Sequence, residues 1–215
     1  MEKSKMGFSI LENNLDKIIT NNKKDSLAKL KLRTRTLTAG EIELCQLVYK
    51  NTIDYSKVTI IEGSFFPFDL QNEDTFVTPN GHIFIPTKHF LLDYSKEDIS
   101  YKHLFIHEMG HVWQHQRKNR VLISAGIAQA CTVFKDPYKY NIHNADTVAD
   151  YVRYKSNKKF VNYNLESQAE IFADYWALKT NNLQAISRKN LINIDRNNLQ
   201  ATIAVYEAKI REVIK

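Results

Sequence analysis

The residues best suited to chemistry form one short motif, His107-Glu108-Met109-Gly110-His111. On an α-helix, side chains four positions apart share a face, so the two imidazoles can bind one zinc ion at about 2.0–2.1 Å. Glu108 is rotated by about 100° from His107, so it does not bind alongside it but can accept a proton from a water molecule. The motif therefore predicts two zinc ligands and a catalytic general base.

A catalytic zinc site needs a third protein ligand, and an acidic segment further along the chain offers candidates. Glu166, Glu170 and Asp174 follow one another at intervals of four residues. On a helix they would form one carboxylate stripe, whose mutual repulsion a cation or an imidazole N–H would relieve. The gluzincin class of peptidases uses Glu-x-x-x-(Asp/Glu), with the first acid on zinc and the second orienting a ligand histidine. This spacing leaves Glu166 and Glu170 as alternative ligands, with Asp174 as an outer partner.

Other interpretations of these residues require no metal. The histidine motif could belong to a packing helix, but three ionisable side chains in an apolar helix are costly to bury without a cation or a charged partner. The acidic stripe could be a solvated helix face, although Ile171, Phe172 and Trp176 lie next to it. His115 is not expected to be a ligand, because the third histidine of metzincins comes six residues after the second.

The periodicity of apolar residues predicts the elements that position these side chains. The predicted elements are an N-terminal helical extension (1–36), a capped helix from Thr38 to about Asn51, a strand at Val58–Ile61, a hairpin over Thr75–Ile85, a buried helix between Tyr94 and Arg117, an irregular insertion (120–164), a helix from Asn164 onward and a C-terminal helix (185–215). The predicted fold class is α+β and zincin-like, with a small, mostly antiparallel sheet, an active-site helix and a second ligand-bearing helix.

Length and composition favour one catalytic domain over residues 1–215. The chain has 215 residues, of which 43% are hydrophobic, and a formal net charge of +6. Its basic residues are scattered, and no helix-turn-helix motif accompanies them, so nucleic acid is not an expected partner. No apolar run is long enough to span a membrane, and we expect no signal peptide. The expected location is the cytoplasm of the producing cell, followed by export through a specialised system.

Several motifs between residues 37 and 178 occur together in a fixed order. They are Leu37-Thr-Ala-Gly-Glu41, Ile53-Asp-Tyr-Ser-Lys-Val58, Phe66-Pro-Phe68, Gly81-His-Ile83 and His107-Glu-Met-Gly-His-Val-Trp-Gln-His-Gln116. In these motifs the chain resembles the Vgr-associated zinc metallopeptidase domains, which are effectors or toxins delivered by type VI secretion. The resemblance implies a gluzincin-like fold with one zinc ion, and an antibacterial role.

A later element of that family also falls on this sequence. It is Glu-x-Gln-small followed by Asp-Tyr, and it corresponds to Glu166, Gln168, Ala169, Asp174 and Tyr175. This correspondence favours Glu166 over Glu170 as the third ligand.

The expected function is therefore zinc-dependent hydrolysis of peptide bonds by a secreted antibacterial effector. Its expected partners are a peptide or protein substrate, a cognate immunity protein and a component of the secretion apparatus. The alternative is a catalytically inert zincin-fold adaptor or binding protein that holds zinc structurally. Substitution of Glu108 discriminates between the two, because only the enzyme needs a general base.

Overall fold

The computed structural model describes residues 32–65, 74–117, 138–142 and 158–215. The chain divides into two compact units, Met1–Thr34 and Arg35–Lys215, and almost all described residues belong to the second. Several predictions fall outside the described residues: the N-terminal helix, the Phe66-Pro-Phe68 motif and most of the 120–164 insertion.

The described residues form helices and a small sheet, as the predicted α+β class requires. The strands are β1 (Thr34–Thr36), β2 (Thr59–Glu62) and β3 (Ile83–Ile85), and the helices are α1 (Ala39–Tyr49), α2 (Ile99–Gln116), α3 (Leu165–Lys179) and α4 (Leu199–Ile210). Among these helices, none combines the length and the apolar character that crossing a membrane would demand.

The sheet contains a parallel pair of strands, whereas the sequence predicted a hairpin in a mostly antiparallel sheet. Its strands lie in the order β1-β2-β3, and β2 pairs with β3 in parallel, with Ile61 opposite Phe84. The predicted hairpin is reduced to one antiparallel bridge between Val77 and Phe84, because Pro79–Gly81 forms a 3-10 turn between them. Residues 63–82 separate β2 from β3, which is long enough for the crossover that parallel strands need.

Capping side chains set where the helices begin. The predicted capping box is confirmed: Glu41 N donates to Thr38 Oγ1 over 3.1 Å, and Thr38 N donates to Glu41 Oε2 over 2.9 Å. Asp98 and Asn164 cap α2 and α3 through side-chain oxygens that accept backbone N–H groups. Asn198 caps α4, which is therefore shorter than the predicted C-terminal helix of residues 185–215.

Helices α2 and α3 pack closely against each other at the centre of the described part. A Cβ atom added at Gly110 would lie 2.9 Å from the Ala169 Cα, so only glycine permits this approach. The Tyr49 hydroxyl of α1 donates to the carbonyl of Ile106 over 2.6 Å, and the Tyr49 ring packs against Phe172, so α1 contacts both helices. The close contact of α2 and α3 places the histidine motif and the acidic stripe face to face.

Candidate metal centre

Two imidazoles and one carboxylate converge between α2 and α3. His107 Nε2 and His111 Nε2 each lie 3.2 Å from the same atom, Glu166 Oε2. The relative exposures of these residues are 5% for His107, 3% for His111 and 9% for Glu166, so all three are buried. The structure therefore brings together both predicted histidine ligands and one of the two alternative acids. The three residues are called the metal cluster below.

The outer nitrogen of each imidazole is occupied by a hydrogen bond. His107 Nδ1 lies 2.9 Å from Glu170 Oε2, and His111 Nδ1 lies 2.9 Å from Gln114 Oε1. Carboxylate and amide oxygens only accept, so both Nδ1 atoms donate. In the neutral tautomers this leaves both Nε2 lone pairs directed at Glu166 Oε2, which is how histidines are prepared to bind a metal.

Gln114 connects the metal cluster to the beginning of α3. Its Nε2 donates to the Leu165 carbonyl over 2.8 Å and to Gln168 Oε1 over 3.2 Å. Gln168 Nε2 donates in turn to the Tyr163 carbonyl over 2.8 Å. Sequence reasoning did not identify the role of Gln114, although its position three residues after His111 places it on the adjoining helix face.

The protonation equilibria show that the site favours positive charge. Burial disfavours a charged imidazole, but hydrogen bonds to Glu166 and Glu170 outweigh this effect and raise the pKa of His107 well above its usual 6.5. The pKa of His111 is raised as well, since attraction to Glu166 exceeds the cost of burial. Burial alone would raise the pKa of Glu166, yet the two imidazoles lower it well below its usual 4.5.

The spacing of these donor atoms fits a zinc ion. Two ligands at about 2.0–2.1 Å from zinc, separated by a tetrahedral angle, lie about 3.3 Å apart. The separations of 3.2 Å between each Nε2 and Glu166 Oε2 match this value. Two histidines and one glutamate also form a known catalytic donor set, in which the fourth position is left to water or substrate.

Glu108, the predicted general base, lies beside the metal cluster and is held by a residue from outside the helix. Its Oε2 accepts a hydrogen bond of 2.5 Å from Thr78 Oγ1. Thr78 directly precedes the Pro79–Gly81 turn, which packs against α2, and it is 1% exposed. Thr78 was missed by sequence reasoning because no local pattern relates it to a helix that begins at Ile99.

A polar cavity adjoins the same turn. Its volume is about 830 Å³, and its lining comprises residues 51–54, Lys57, residues 80–82, His115 and Gln116. Gly81 has a φ of +74°, and a Cβ atom there would lie 2.7 Å from His115 Cδ2, so the wall requires glycine. His115, which lies one helical turn after His111, lines this cavity and does not belong to the metal cluster. The Tyr138 ring lies near the metal cluster too, with its centroid 5.7 Å from that of His107.

Asp174 occupies a different place from the one expected for an outer partner of a ligand histidine. The carboxylate that contacts the outer nitrogen of His107 belongs to Glu170. Asp174 Oδ1 lies 2.9 Å from Nε2 of His103, one helical turn before His107. His103, Glu170 and Asp174 form a second buried group, called the outer cluster below, whose candidate ligand atoms lie within 4.8 Å of one another.

Comparison with known proteins identifies relatives of this chain. No protein-family model matches it. It is 33% identical over 165 residues, or 76% of its length, to the type VI secretion system spike protein VgrG2b of Pseudomonas aeruginosa. The solved structure of the effector domain of that VgrG2b superposes with a TM-score of 0.56 at 32% identity, covering 71% of this chain and 78% of the domain. The chain belongs to the family of the VgrG2b effector domain.

Membership of the VgrG2b effector-domain family confirms part of what the sequence motifs implied. The predicted link to Vgr-associated type VI effectors is supported by both comparisons. The chain spans only 15% of the length of the VgrG2b spike protein, and so corresponds to the effector domain and not to the spike as a whole. The solved relative is an effector domain, and neither relative's name states a reaction, so the chemistry has to be inferred from the site.

Proposed function

We propose that this chain is a zinc-dependent metalloendopeptidase of the zincin type, with His107, His111 and Glu166 as its zinc ligands. The observation that carries the proposal is the convergence of two Nε2 atoms on one Glu166 oxygen at 3.2 Å. The raised pKa of His107 and the lowered pKa of Glu166 also support it, because such a site stabilises a cation. Glu166 is favoured over Glu170, since Glu170 contacts the outer nitrogen of His107.

Glu108 is the proposed general base of the reaction. A zinc ion held by the three ligands would act as a Lewis acid on the scissile carbonyl and promote ionisation of water. The Glu108 carboxylate accepts the proton of the attacking water molecule and donates it to the nitrogen of the leaving amine. The Thr78 hydroxyl orients the carboxylate for both transfers through its hydrogen bond to Glu108 Oε2.

Glu170 and Gln114 have proposed roles as orienting residues. Each accepts a hydrogen bond from the Nδ1 of one ligand histidine, and each is itself buried. Such partners fix the ring orientation and the tautomer, and their loss commonly weakens metal binding by about 10- to 100-fold. Asp174 was the outer partner expected from the sequence, but its contacts with His103 assign it no direct role toward the ligand histidines.

The experiment that tests the reaction is Glu108→Gln, with Glu43→Gln on the exposed face of α1 as the matched control. We expect Glu108→Gln to lower the rate of cleavage of a fluorescently labelled unfolded protein by about 10²- to 10⁴-fold, because the amide cannot act as a base. Zinc content and melting temperature should stay close to those of the wild type. The control variant should cleave at the wild-type rate.

Two results would contradict the enzyme hypothesis. One is a wild-type protein that binds zinc but cleaves neither proteins nor cell-wall peptides. The other is a Glu108→Gln variant that remains fully active or fully toxic when expressed in bacteria. Either would favour the alternative, in which a zincin fold holds zinc as an inert adaptor.

We further propose that the chain is an antibacterial effector delivered by a type VI secretion apparatus and neutralised in its producer by an immunity protein. Membership of the VgrG2b effector-domain family supports this proposal. The test is to follow a tagged chain in co-cultured cells with and without a functional apparatus. Delivery should require the apparatus, and equal amounts in the target cells of both cultures would contradict the proposal.

A further inference from the structure

Helices α2 and α3 face each other through three histidine–carboxylate pairs at intervals of one helical turn. The first pair is His111 with Glu166, the second is His107 with Glu170, and the third is His103 with Asp174. The proposed function uses the first pair to bind zinc and the second to orient a ligand. The third pair has no role in it, although a buried ionisable pair is costly to keep without one.

The third pair is buried and joined by a hydrogen bond. His103 Nε2 donates to Asp174 Oδ1 over 2.9 Å, and Asp174 is 0% exposed. The other oxygen, Asp174 Oδ2, accepts a hydrogen bond of 2.5 Å from the Tyr140 hydroxyl. Because His103 Nε2 carries a proton and both Asp174 oxygens accept one, these atoms are not arranged to receive a second metal ion.

The chain of hydrogen bonds continues to α4 and has a fixed direction. Tyr140 and Tyr206 have their hydroxyl oxygens 2.6 Å apart. Since Tyr140 has one proton and donates it to Asp174, the proton between the tyrosines must come from Tyr206. The series Tyr206, Tyr140, Asp174, His103 thus connects α4 and residues 138–142 to the faces of α3 and α2. Such a satisfied buried network holds its members rigidly.

Glu170 lies between this network and the metal cluster. It belongs to the outer cluster with His103 and Asp174, and its Oε2 also accepts the hydrogen bond of His107 Nδ1. Glu170 is 8% exposed, so protein groups largely replace water around its carboxylate. The His103 imidazole, held in place by Asp174, is therefore part of the environment that fixes Glu170 against His107.

We propose that His103 and Asp174 are positioning residues of the metal centre, which hold Glu170 against His107 and thereby increase the affinity for zinc. The proposal rests on the proposed function, because it requires that His107 bind the metal. In this proposal, His103 and Asp174 lie behind the orienting carboxylate of Glu170 and contribute to metal binding. Tyr140 connects them to Tyr206 of α4.

The test measures zinc affinity by competition with a chromophoric chelator, alongside the melting temperature of the metal-free protein. The variants are His103→Leu, His103→Gln and Tyr140→Phe. The matched control is His89→Leu, which removes another histidine–aspartate contact, that of His89 with Asp74 at 3.0 Å. We expect His103→Leu and Tyr140→Phe to bind zinc about tenfold more weakly than the wild type, at the lower end of the range for outer partners. His103→Gln should recover part of the affinity, because its amide N–H can replace the donor to Asp174.

The zinc affinities and melting temperatures of these variants decide whether His103 and Asp174 support metal binding. Wild-type zinc affinity in His103→Leu and Tyr140→Phe overturns the proposal, and so does a lower melting temperature with unchanged affinity, which shows a structural role alone. If His103→Leu does not fold, Tyr140→Phe and His103→Gln supply the same comparison. A wild-type chain that binds no zinc overturns the proposed function as well, so the two failures are distinguishable.

Discussion

The metal cluster and the outer cluster lie side by side on the same two helices, yet they differ in what their atoms can do. Both are buried, and both combine imidazole with carboxylate. In the metal cluster the Nδ1 atoms donate outward and the Nε2 atoms of His107 and His111 meet at one oxygen. In the outer cluster Nε2 of His103 donates to Asp174, and the second Asp174 oxygen accepts from Tyr140.

This difference shows that residue type and spacing do not by themselves define a metal site. The four-residue spacing is the same in both clusters, so the spacing alone cannot separate a ligand from a positioning residue. What distinguishes them in the structure is which ring nitrogen the supporting residue contacts: Glu170 and Gln114 contact the Nδ1 atoms of His107 and His111, whereas Asp174 contacts Nε2 of His103. The Nε2 atoms of the metal cluster therefore face Glu166 Oε2, where the proposed zinc ion would bind, whereas Nε2 of His103 is already paired with Asp174.

Removing the histidines of each cluster in turn should have the largest effect and tests which cluster binds zinc. The double variant His107→Ala/His111→Ala should lose all stoichiometric zinc, because two of three protein ligands are gone. His103→Leu should still hold one zinc per chain at saturating metal. Elemental analysis after removal of free metal measures both. Equal zinc content in the double variant and the wild type would refute the assignment of the metal cluster.

The pH dependence of zinc binding gives a second, smaller contrast. The raised pKa values of His107 and His111 mean that zinc must displace protons from them. We therefore expect zinc affinity to increase by about tenfold per pH unit for each proton displaced, as pH rises from 6 toward 8. Chelator competition at several pH values measures this slope. An affinity independent of pH over that range would be inconsistent with the two imidazoles as ligands.

Whereas zinc affinity should rise with pH, the stability that the two histidines give the metal-free protein should fall as pH rises. A histidine with a raised pKa contributes stability that is complete below its usual value of 6.5 and is lost as pH rises through the folded value. Glu166, with a lowered pKa, contributes above its usual 4.5 and loses that contribution at lower pH. In chelator, thermal unfolding should therefore show the largest contribution of this site between about pH 4.5 and 6.5.

The smallest predicted effect concerns the spacing of α2 and α3, on which both clusters depend. Gly110→Ala places a Cβ atom 2.9 Å from the Ala169 Cα, so the helices must separate. We expect a loss of about 1–3 kcal/mol in the free energy of unfolding, despite the better helix propensity of alanine. Denaturant unfolding measures it. Ser100→Ala, on the exposed face of α2, is the control and should change stability by less than about 0.5 kcal/mol.

Local patterns in the sequence predicted the parts of the site that lie within one helix. The positions of His107, Glu108 and His111 follow from the 3.6-residue repeat once α2 is assumed, and the capping box of Thr38 with Glu41 depends only on neighbouring residues. The family resemblance favoured Glu166 as the third ligand, and Glu166 is the acid whose oxygen lies 3.2 Å from both Nε2 atoms.

Features that join distant segments could not be predicted in this way. Thr78 reaches Glu108 from 30 residues away, and Asp174 meets His103 across 71 residues. The parallel pairing of β2 with β3 depends on a crossover, whereas the Asn-Gly pair at Asn80 suggested a local hairpin. In each case tertiary packing brings the residues together, and the periodicity of the sequence does not predict contacts between distant segments.

The most direct test of the metal assignment is the anomalous scattering of a zinc-containing crystal at the zinc absorption edge. We expect a strong peak at about 2.0–2.2 Å from His107 Nε2, His111 Nε2 and a carboxylate oxygen of Glu166. A peak among His103, Glu170 and Asp174 instead, or no peak between α2 and α3 at saturating zinc, would contradict it.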